Sequence, residues 1–115
     1  GLDVEAFRRL GRPAMVTEFH FGATDRGPFG AGVVAVARSA DRGRAYRTFL
    51  ESVVDNPDFV GAHWFQYVDE PASGRWLDGE NAHIGLVSIT DAPWADFVGE
   101  VAEAHRAALR RLATD

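Results

Sequence analysis

The sequence predicts an α/β fold built from two consecutive β-strand and α-helix units. Two apolar segments of strand length are each followed along the chain by a segment whose apolar residues recur with helical spacing. The helix-to-strand junctions, residues 11–12 and 56–57, are short, whereas the strand-to-helix segments, residues 20–38 and 66–92, are long. This asymmetry is typical of (β/α) barrels, in which the loops after the strands form the active site. Because a complete barrel has eight such units, the sequence predicts an incomplete one.

The chain begins with the end of a predicted helix, followed by a strand. In "LDVEAFRRLGRP" the apolar residues Leu2, Phe7 and Leu10 fall near one helical face, and Asp3 is placed to cap the start of the helix. The glycine and proline that follow Leu10 are typical of a helix end. The segment "AMVTEF" is predicted as the first strand, in which alternation places Val16, Glu18 and His20 on one face.

The second helix has the clearest periodicity in the sequence. Its apolar residues follow the i, i+3, i+4, i+7, i+8 pattern of an amphipathic helix: Tyr46, Phe49, Leu50, Val53 and Val54. Ser39 is predicted as its N-cap, and "NP" at residues 56–57 ends it. The apolar segment at residues 59–67 is predicted as a second strand, typical of a parallel sheet that is covered on both faces. The last helix begins around Pro93 and has the apolar stripe Phe97, Val101, Ala104, Ala108 and Leu112.

Composition narrows the functional classes. The chain has 115 residues, which suits one small domain, and its net charge of −5 argues against a nucleic-acid or anionic-membrane partner. Cysteine is absent, so disulfides and thiol nucleophiles are excluded within the sequence. No apolar run is long enough for a transmembrane helix, and the first ten residues do not have the pattern of a signal peptide.

Glu18 is the first candidate for catalysis. It lies at the predicted end of the first strand, where a barrel directs side chains into the active site. There a carboxylate acts as nucleophile, general base or metal ligand. The alternative is a structural carboxylate that forms an ion pair with Arg26 or Arg75.

Trp64 is the second candidate, and it belongs to a set with the composition of a carbohydrate site. On the alternation of the second strand it shares a face with Val60, Ala62 and Gln66, so we expect its indole to be exposed on the pocket side. The alternative is a tryptophan in the core. The carboxylate, amide and aromatic residues that map to the same end of the sheet are Glu18, His20, Trp64, Gln66, Tyr67 and Trp76.

A metal site is a competing hypothesis. Three histidines, His20, His63 and His83, together with Glu18 or Asp69, would make a set of two histidines and one carboxylate, as in a small metal-dependent oxygenase. Alternation turns His63 away from Trp64, so it is expected to face the helices.

The segment at residues 74–87 supplies further polar residues. It combines a turn signal at residues 78–79 with an apolar alternating stretch, so a hairpin is predicted. Arg75, Glu80 and Asn81 either bind sugar hydroxyls or hold this loop over the pocket.

Three blocks of the sequence, in the right order, resemble one enzyme family. The blocks "TEFHFGATDRGPFGAGVV", "GAHWFQYVDEPASGR" and "DGENAHIGLVSITDAPW" are similar to the C-terminal part of the catalytic barrel of glycoside hydrolase family 50, the β-agarases. The resemblance implies that residues 1–115 are one portion of a single catalytic domain, without a second domain. It implies strands 7 and 8, with their helices, of a (β/α)8 TIM barrel, and a secreted or periplasmic location.

The resemblance also implies roles for individual residues. Glu18 matches the catalytic nucleophile at the end of strand 7, and Trp64 matches the aromatic residue at the end of strand 8 that floors the sugar site. Residues in the matching motifs are implied as substrate-binding, namely His20, Arg26, Gln66, Glu80 and Asn81, and Trp76 joins them by its position. The implied reaction is retaining hydrolysis of β-1,4-galactosidic bonds in agarose, with no metal or other cofactor.

The implied mechanism requires a second carboxyl group. In this family it is a glutamate at the end of strand 4, which lies outside these 115 residues. We therefore expect the chain alone not to hydrolyse agarose. Its expected partners are a galactan and either the remainder of the barrel or other copies of the chain, because isolated strands leave open edges. A non-catalytic carbohydrate-binding role is the main alternative.

Overall fold

The computed structural model describes residues 4–114 and has the predicted order of elements. These are α1 (Val4–Leu10), β1 (Ala14–Phe19), a 3₁₀ turn (Ser39–Asp41), α2 (Arg42–Val54), β2 (Phe59–Trp64) and α3 (Ala95–Leu112). The prediction of an α/β fold with two strand and helix units is confirmed. Leu2 and Asp3, which were assigned to the first helix, lie outside the described residues. No helix among residues 4–114 is long and apolar enough to cross a membrane.

The two strands pair in parallel, but β1 contains a β-bulge. The partners are Ala14 with Phe59, Met15 with Gly61, Val16 with Ala62, and Phe19 with Trp64. Between the first two pairs β2 advances by two residues where β1 advances by one, and between the last two pairs β1 advances by three where β2 advances by two. The extra residue places Val16 and Phe19 both against the helices and leaves Thr17 and Glu18 both exposed. The predicted alternation, which put Val16 and Glu18 on one face, is therefore wrong.

The core lies between the sheet and the helices α2 and α3. Its buried members are Phe19, Tyr46, Phe97, Val101 and Ala104. The Trp64 ring belongs to this layer, because its centroid lies 5.3 Å from that of Phe19 and 5.1 Å from that of Phe97. Trp64 Nε1 donates to the carbonyl oxygen of Ile84 at 3.0 Å. The expected exposure of the indole on the pocket side is wrong, and so is the expectation that His63 faces the helices, since His63 is exposed.

The ends of the elements differ from the predictions in three places. Ser39 does not cap α2; its backbone N–H and its hydroxyl both donate to Asp25 Oδ1, and a 3₁₀ turn precedes the helix. The second strand ends at Trp64, three residues earlier than predicted. The predicted hairpin at residues 74–87 forms a tight turn without strands. The first difference comes from a contact between residues 14 apart in the sequence, Ser39 and Asp25, which local propensity does not encode.

The two long segments meet beyond the ends of the strands. An isolated β-bridge joins Gly30 to Ala82, and His83 donates its backbone N–H to the Gly30 carbonyl at 2.8 Å. Both strands run in the same direction, so their C-terminal ends meet at the same edge of the sheet. Residues from both loops are thereby brought to the edge where Glu18 lies.

Candidate active site

Glu18 is exposed at the end of β1 and is not held by an arginine. No hydrogen bond or ion pair joins its carboxylate to another side chain within residues 4–114. Arg26 pairs instead with Asp96 at 3.3 Å and lies over the Trp94 ring. Arg75 pairs with other carboxylates. The structural alternative for Glu18, an ion pair with Arg26 or Arg75, is therefore not what the structure shows.

A groove of about 440 Å³ lies beside Glu18. It is lined by Glu18, His20 and apolar side chains, namely Val16, Phe19, Phe21, Val33, Val34 and Phe49. A carboxylate that is accessible in such a groove approaches a ligand without first breaking an ion pair.

His20 holds the loop that forms one wall of this groove. Its Nε2 accepts the backbone N–H of Val33 at 2.8 Å. Gly32 has a φ of +68°, and a Cβ atom there would lie 2.4 Å from His20 Nε2, so this close approach requires glycine. Burial lowers the pKa of His20, although the nearby carboxylates of Glu70, Glu80 and Glu18 oppose the shift. The accepting nitrogen is thus kept unprotonated.

This geometry predicts a dependence of stability on pH. The folded-state pKa of His20 lies below its ordinary value of 6.5, so the unfolded chain binds the proton first as pH falls. We expect the stabilisation to be complete above that value and to be lost as pH falls through the lowered pKa of His20. Urea unfolding between pH 8 and pH 5 measures it. His20→Gln keeps an acceptor for Val33 and should flatten the slope, whereas the exposed His63→Gln should not. Equal slopes for His20→Gln and the parent would contradict the assignment.

Phe65 lies at the candidate site and is not among the residues that the sequence predicts there. Its backbone N–H donates to the Phe19 carbonyl at 2.9 Å, and a cis peptide bond joins it to Gln66. The Phe65 ring lies 6.3 Å from the His20 ring and 5.9 Å from the Arg75 guanidinium. Because the Trp64 ring packs with the core, Phe65 is the aromatic residue of the strand end whose ring lies near His20 and Arg75. The sequence shows two consecutive aromatic residues, Trp64 and Phe65, at this strand end, but which of the two rings faces the core depends on the sheet register.

Two residues that are predicted to bind substrate, Gln66 and Asn81, make hydrogen bonds within the protein. Asn81 accepts from the Gly30 N–H at 3.2 Å and donates to the Pro28 carbonyl at 2.9 Å. Gln66 Nε2 donates to the Val68 carbonyl at 2.9 Å. These side chains connect the two long segments or fix the backbone after β2, and their amides are already partnered.

Arg75 joins three carboxylates in the second loop. Its Nε and Nη2 donate to the two oxygens of Asp78, both at 2.7 Å, and Nη2 also donates to Glu80 at 2.9 Å. The hydrogen bond with Asp78 raises the pKa of Arg75 above its ordinary value and lowers the pKa of Asp78. Nη1 lies 3.1 Å from the fully buried Glu70, as an ion pair without hydrogen-bond alignment. Glu80, which was predicted to contact substrate, is thereby bound to Arg75.

A buried polar cluster connects both loops to the start of α2. Arg42 donates from Nε to the Phe21 carbonyl at 2.9 Å and from Nη2 to the Gly85 carbonyl at 2.7 Å. Burial lowers the pKa of Arg42 to about 10. His83 Nδ1 lies 2.9 Å from Asp69 Oδ2, and His83 Nε2 lies 3.3 Å from Arg42 Nη1. Burial favours a raised pKa for Asp69, but hydrogen bonds from His83, Gly85 and Trp94 outweigh it and hold that pKa low.

The histidines do not come together as a metal site. His83 is fully buried in the polar cluster, His20 bonds to a loop, and His63 is exposed. Among residues 4–114 no group of three or more histidine, aspartate or glutamate side chains is arranged to hold a metal ion.

Comparison with known proteins relates this arrangement to one group of enzymes. No protein-family model matches the chain. β-Agarase B of Vibrio sp. (strain JT0107) is 49% identical over 96 residues, which are 84% of this chain and 10% of that protein. β-Agarase A of the same strain is 49% identical over 85 residues, which are 74% of this chain and 8% of that protein. The chain thus spans about a tenth of the length of these relatives.

Solved structures agree with this comparison. An exo-β-agarase superposes with a TM-score of 0.87 at 42% identity, over 92% of this chain and 14% of that one. The agarase AgWH50C superposes with a TM-score of 0.86 at 43% identity, over 94% of this chain and 17% of that one. The shared sequence and fold place the chain among the glycoside hydrolases. Within that class it belongs to family 50, the β-agarase family, as one segment of a longer fold.

Proposed function

We propose that this chain is the C-terminal portion of a single catalytic (β/α)8 barrel, in which β1 and β2 are strands 7 and 8. The proposal is supported by the parallel pairing of the strands and by the matching structures, of which the chain covers 14–17%. Exposed apolar side chains on the strands, Met15 and Val60, also favour it. A groove of about 630 Å³ beside β2 is lined mainly by apolar residues of α2, β2 and α3. Such surfaces are expected where further strands and helices of a barrel pack.

In the completed enzyme, we propose Glu18 as the nucleophile of a retaining hydrolysis of β-1,4-galactosidic bonds in agarose-type galactan. The observation that carries this proposal is the accessible Glu18 carboxylate at the C-terminal end of β1, with both candidate arginines paired elsewhere. Glu18 would attack the anomeric carbon and form a glycosyl ester. A second carboxyl group, about 5–5.5 Å away, would protonate the leaving oxygen and then activate water to hydrolyse the ester.

The aromatic floor of the sugar site is assigned to Phe65 in place of Trp64. Phe65 lies beside His20, on the side of the strand end where the loops meet, whereas Trp64 packs with the core. His20, Gln66 and Asn81 act mainly by fixing the walls of the site through the hydrogen bonds described above. Arg26 holds the start of α3 through Asp96. A secreted or periplasmic location is also proposed, because the relatives are named as agarases and agarose is a polysaccharide.

The experiment compares the chain with a complete enzyme that contains it. In this chimaera, the matching 96 residues of Vibrio β-agarase B are replaced by the corresponding residues of this chain. We expect reducing sugar from agarose with the chimaera and none with the 115-residue chain, because the proposed assignment puts the acid/base carboxylate on strand 4, outside these residues. Hydrolysis by the purified chain alone would contradict the proposed division of roles, and a folded but inactive chimaera would contradict the proposed function. Binding of agarose by the chain without hydrolysis in either form would favour the non-catalytic alternative.

A further inference from the structure

The turn at residues 74–80, here called the clasp, is built more rigidly than an ordinary surface loop. Arg75 donates its N–H to the Glu80 carbonyl, and Gly79 donates to the Arg75 carbonyl, both at 2.8 Å. Gly74 and Gly79 have φ angles of +86° and +78°, which favour glycine. A Cβ atom on Gly74 would lie 2.6 Å from the Gly79 carbonyl oxygen, so the two ends of the clasp touch.

The Arg75 side chain fastens the clasp to the interior. It spans from Asp78 and Glu80, inside the clasp, to Glu70, which is fully buried. Glu70 is fixed in turn, because its Oε2 accepts the Ala82 N–H at 2.6 Å. A planar guanidinium with several donors makes this connection, which a lysine ammonium could not reproduce in the same geometry.

The clasp presents an unpartnered indole to solvent. Trp76 is 94% exposed, while Arg75 before it and Asp78 after it are joined by the hydrogen bonds described above. Leu77 beside it is 70% exposed, so two consecutive apolar side chains stand among the charged residues of the clasp, and an apolar patch with a polar rim is typical of a ligand-binding surface. Because hydrogen bonds already hold the backbone of the clasp, stacking of a ligand on Trp76 requires little further loss of conformational entropy from this loop.

The position and charge of the clasp identify the ligand class. The Arg75 guanidinium lies 5.9 Å from the Phe65 ring centroid, and the Phe65 ring lies 6.3 Å from that of His20, which lines the Glu18 groove, so Arg75 connects the clasp to the neighbourhood of that groove. Three carboxylates, those of Glu70, Asp78 and Glu80, surround the single guanidinium of Arg75. The excess of negative charge disfavours an anionic ligand. A flat indole packs well on the C–H face of an uncharged sugar.

We propose that Trp76 forms an outer subsite for an uncharged sugar unit of a polysaccharide, and that Arg75 is the positioning residue that holds it there. This proposal rests on the proposed function, since it assumes that a galactan chain leaves the Glu18 groove along this surface. It extends that function by separating the binding of a long chain from the cleavage step. Glu70, Asp78 and Glu80 act through Arg75 and are not themselves assigned to the sugar.

The test uses the chimaera and two substrates, polymeric agarose and a neoagaro-tetrasaccharide. Trp76→Ala should lower kcat/KM on the polymer about tenfold by raising KM, and a tenfold change equals ~1.4 kcal/mol. On the tetrasaccharide the loss in kcat/KM should be about twofold or smaller. Trp76→Phe should recover most of the loss. Arg75→Lys should give the same preferential loss on the polymer, because it cannot keep the bidentate bond to Asp78. The control is Ile89→Ala, a half-exposed apolar residue outside the clasp.

Two results would overturn the inference without touching the proposed function. Equal losses on the polymer and the tetrasaccharide would place Trp76 near the cleavage point or in a general structural role. A loss of several degrees in the melting temperature of Trp76→Ala would show that other parts of the barrel cover the indole. If the chimaera is inactive on both substrates, its binding to insoluble agarose tests the inference. In the Glu18→Gln background, Trp76→Ala should weaken the retention of the protein on insoluble agarose. Unchanged retention would then overturn the inference.

Discussion

Glu18→Gly in the chimaera is expected to reduce agarose hydrolysis by about 10⁴-fold or more, which is ~5.4 kcal/mol in activation free energy. The reason is that no other group would then attack the anomeric carbon, and the glycosyl ester could not form. The acid/base carboxyl supplied by the rest of the barrel would remain, so protonation of the leaving oxygen would still be available. Initial rates of reducing-sugar release measure the loss.

Azide distinguishes a missing nucleophile from a damaged site. In Glu18→Gly the space vacated by the carboxylate admits a small anion, which would attack the anomeric carbon as the leaving oxygen is protonated. We expect azide to restore cleavage and to give a glycosyl azide of inverted anomeric configuration, which NMR identifies. The matched control is Glu51→Gln, an exposed carboxylate on α2, and it should leave the rate unchanged. Full activity of Glu18→Gly without azide would show that Glu18 is not the nucleophile and would favour the non-catalytic carbohydrate-binding role.

The fold was largely predictable because its strongest signals are local. The helical spacing from Tyr46 to Val54 predicts α2, which the structure has at Arg42–Val54. The two apolar segments predict a parallel pair, and β1 and β2 form one. The β-bulge was not predictable, because it depends on which residues of β2 oppose β1. The extra residue between Val16 and Phe19 turns Phe19 to the helix side, where its ring packs against that of Trp64.

The composition of the site was more predictable than the contacts of its members. Glu18 was identified as a carboxylate at a strand end, and the structure leaves it accessible there. The role of His20 could not be read from spacing, because its partner is a backbone N–H thirteen residues away. The same holds for Asn81, whose amide bonds to the Pro28 carbonyl across the two loops. The sequence thus indicates which polar residues lie near the site, but it does not reveal the hydrogen bonds that they form within the protein.

The buried polar cluster is the largest feature that the sequence did not reveal. Arg42 is 1% exposed, and it was indistinguishable in the sequence from the other arginines near the start of α2. Its guanidinium lies 4.1 Å from the centre of the Phe97 ring and donates to carbonyl groups of both long loops. The buried polar cluster therefore joins α2 and α3 to the two loops that form the site.

Arg42→Met is accordingly expected to lower the free energy of unfolding of the chain by ~3–5 kcal/mol. Methionine fills much of the volume, but it leaves the Phe21 and Gly85 carbonyls without their donor and Asp69 without the nearby positive charge. Urea unfolding of the parent and the variant measures the difference, with Arg44→Met as the control because that side chain is 78% exposed two residues away. Equal, small effects of the two substitutions would mean that water or a rearranged loop replaces the guanidinium. A large effect of Arg42→Met alone would show that the loops depend on a buried charge, because an apolar side chain of similar length cannot hydrogen-bond to either carbonyl.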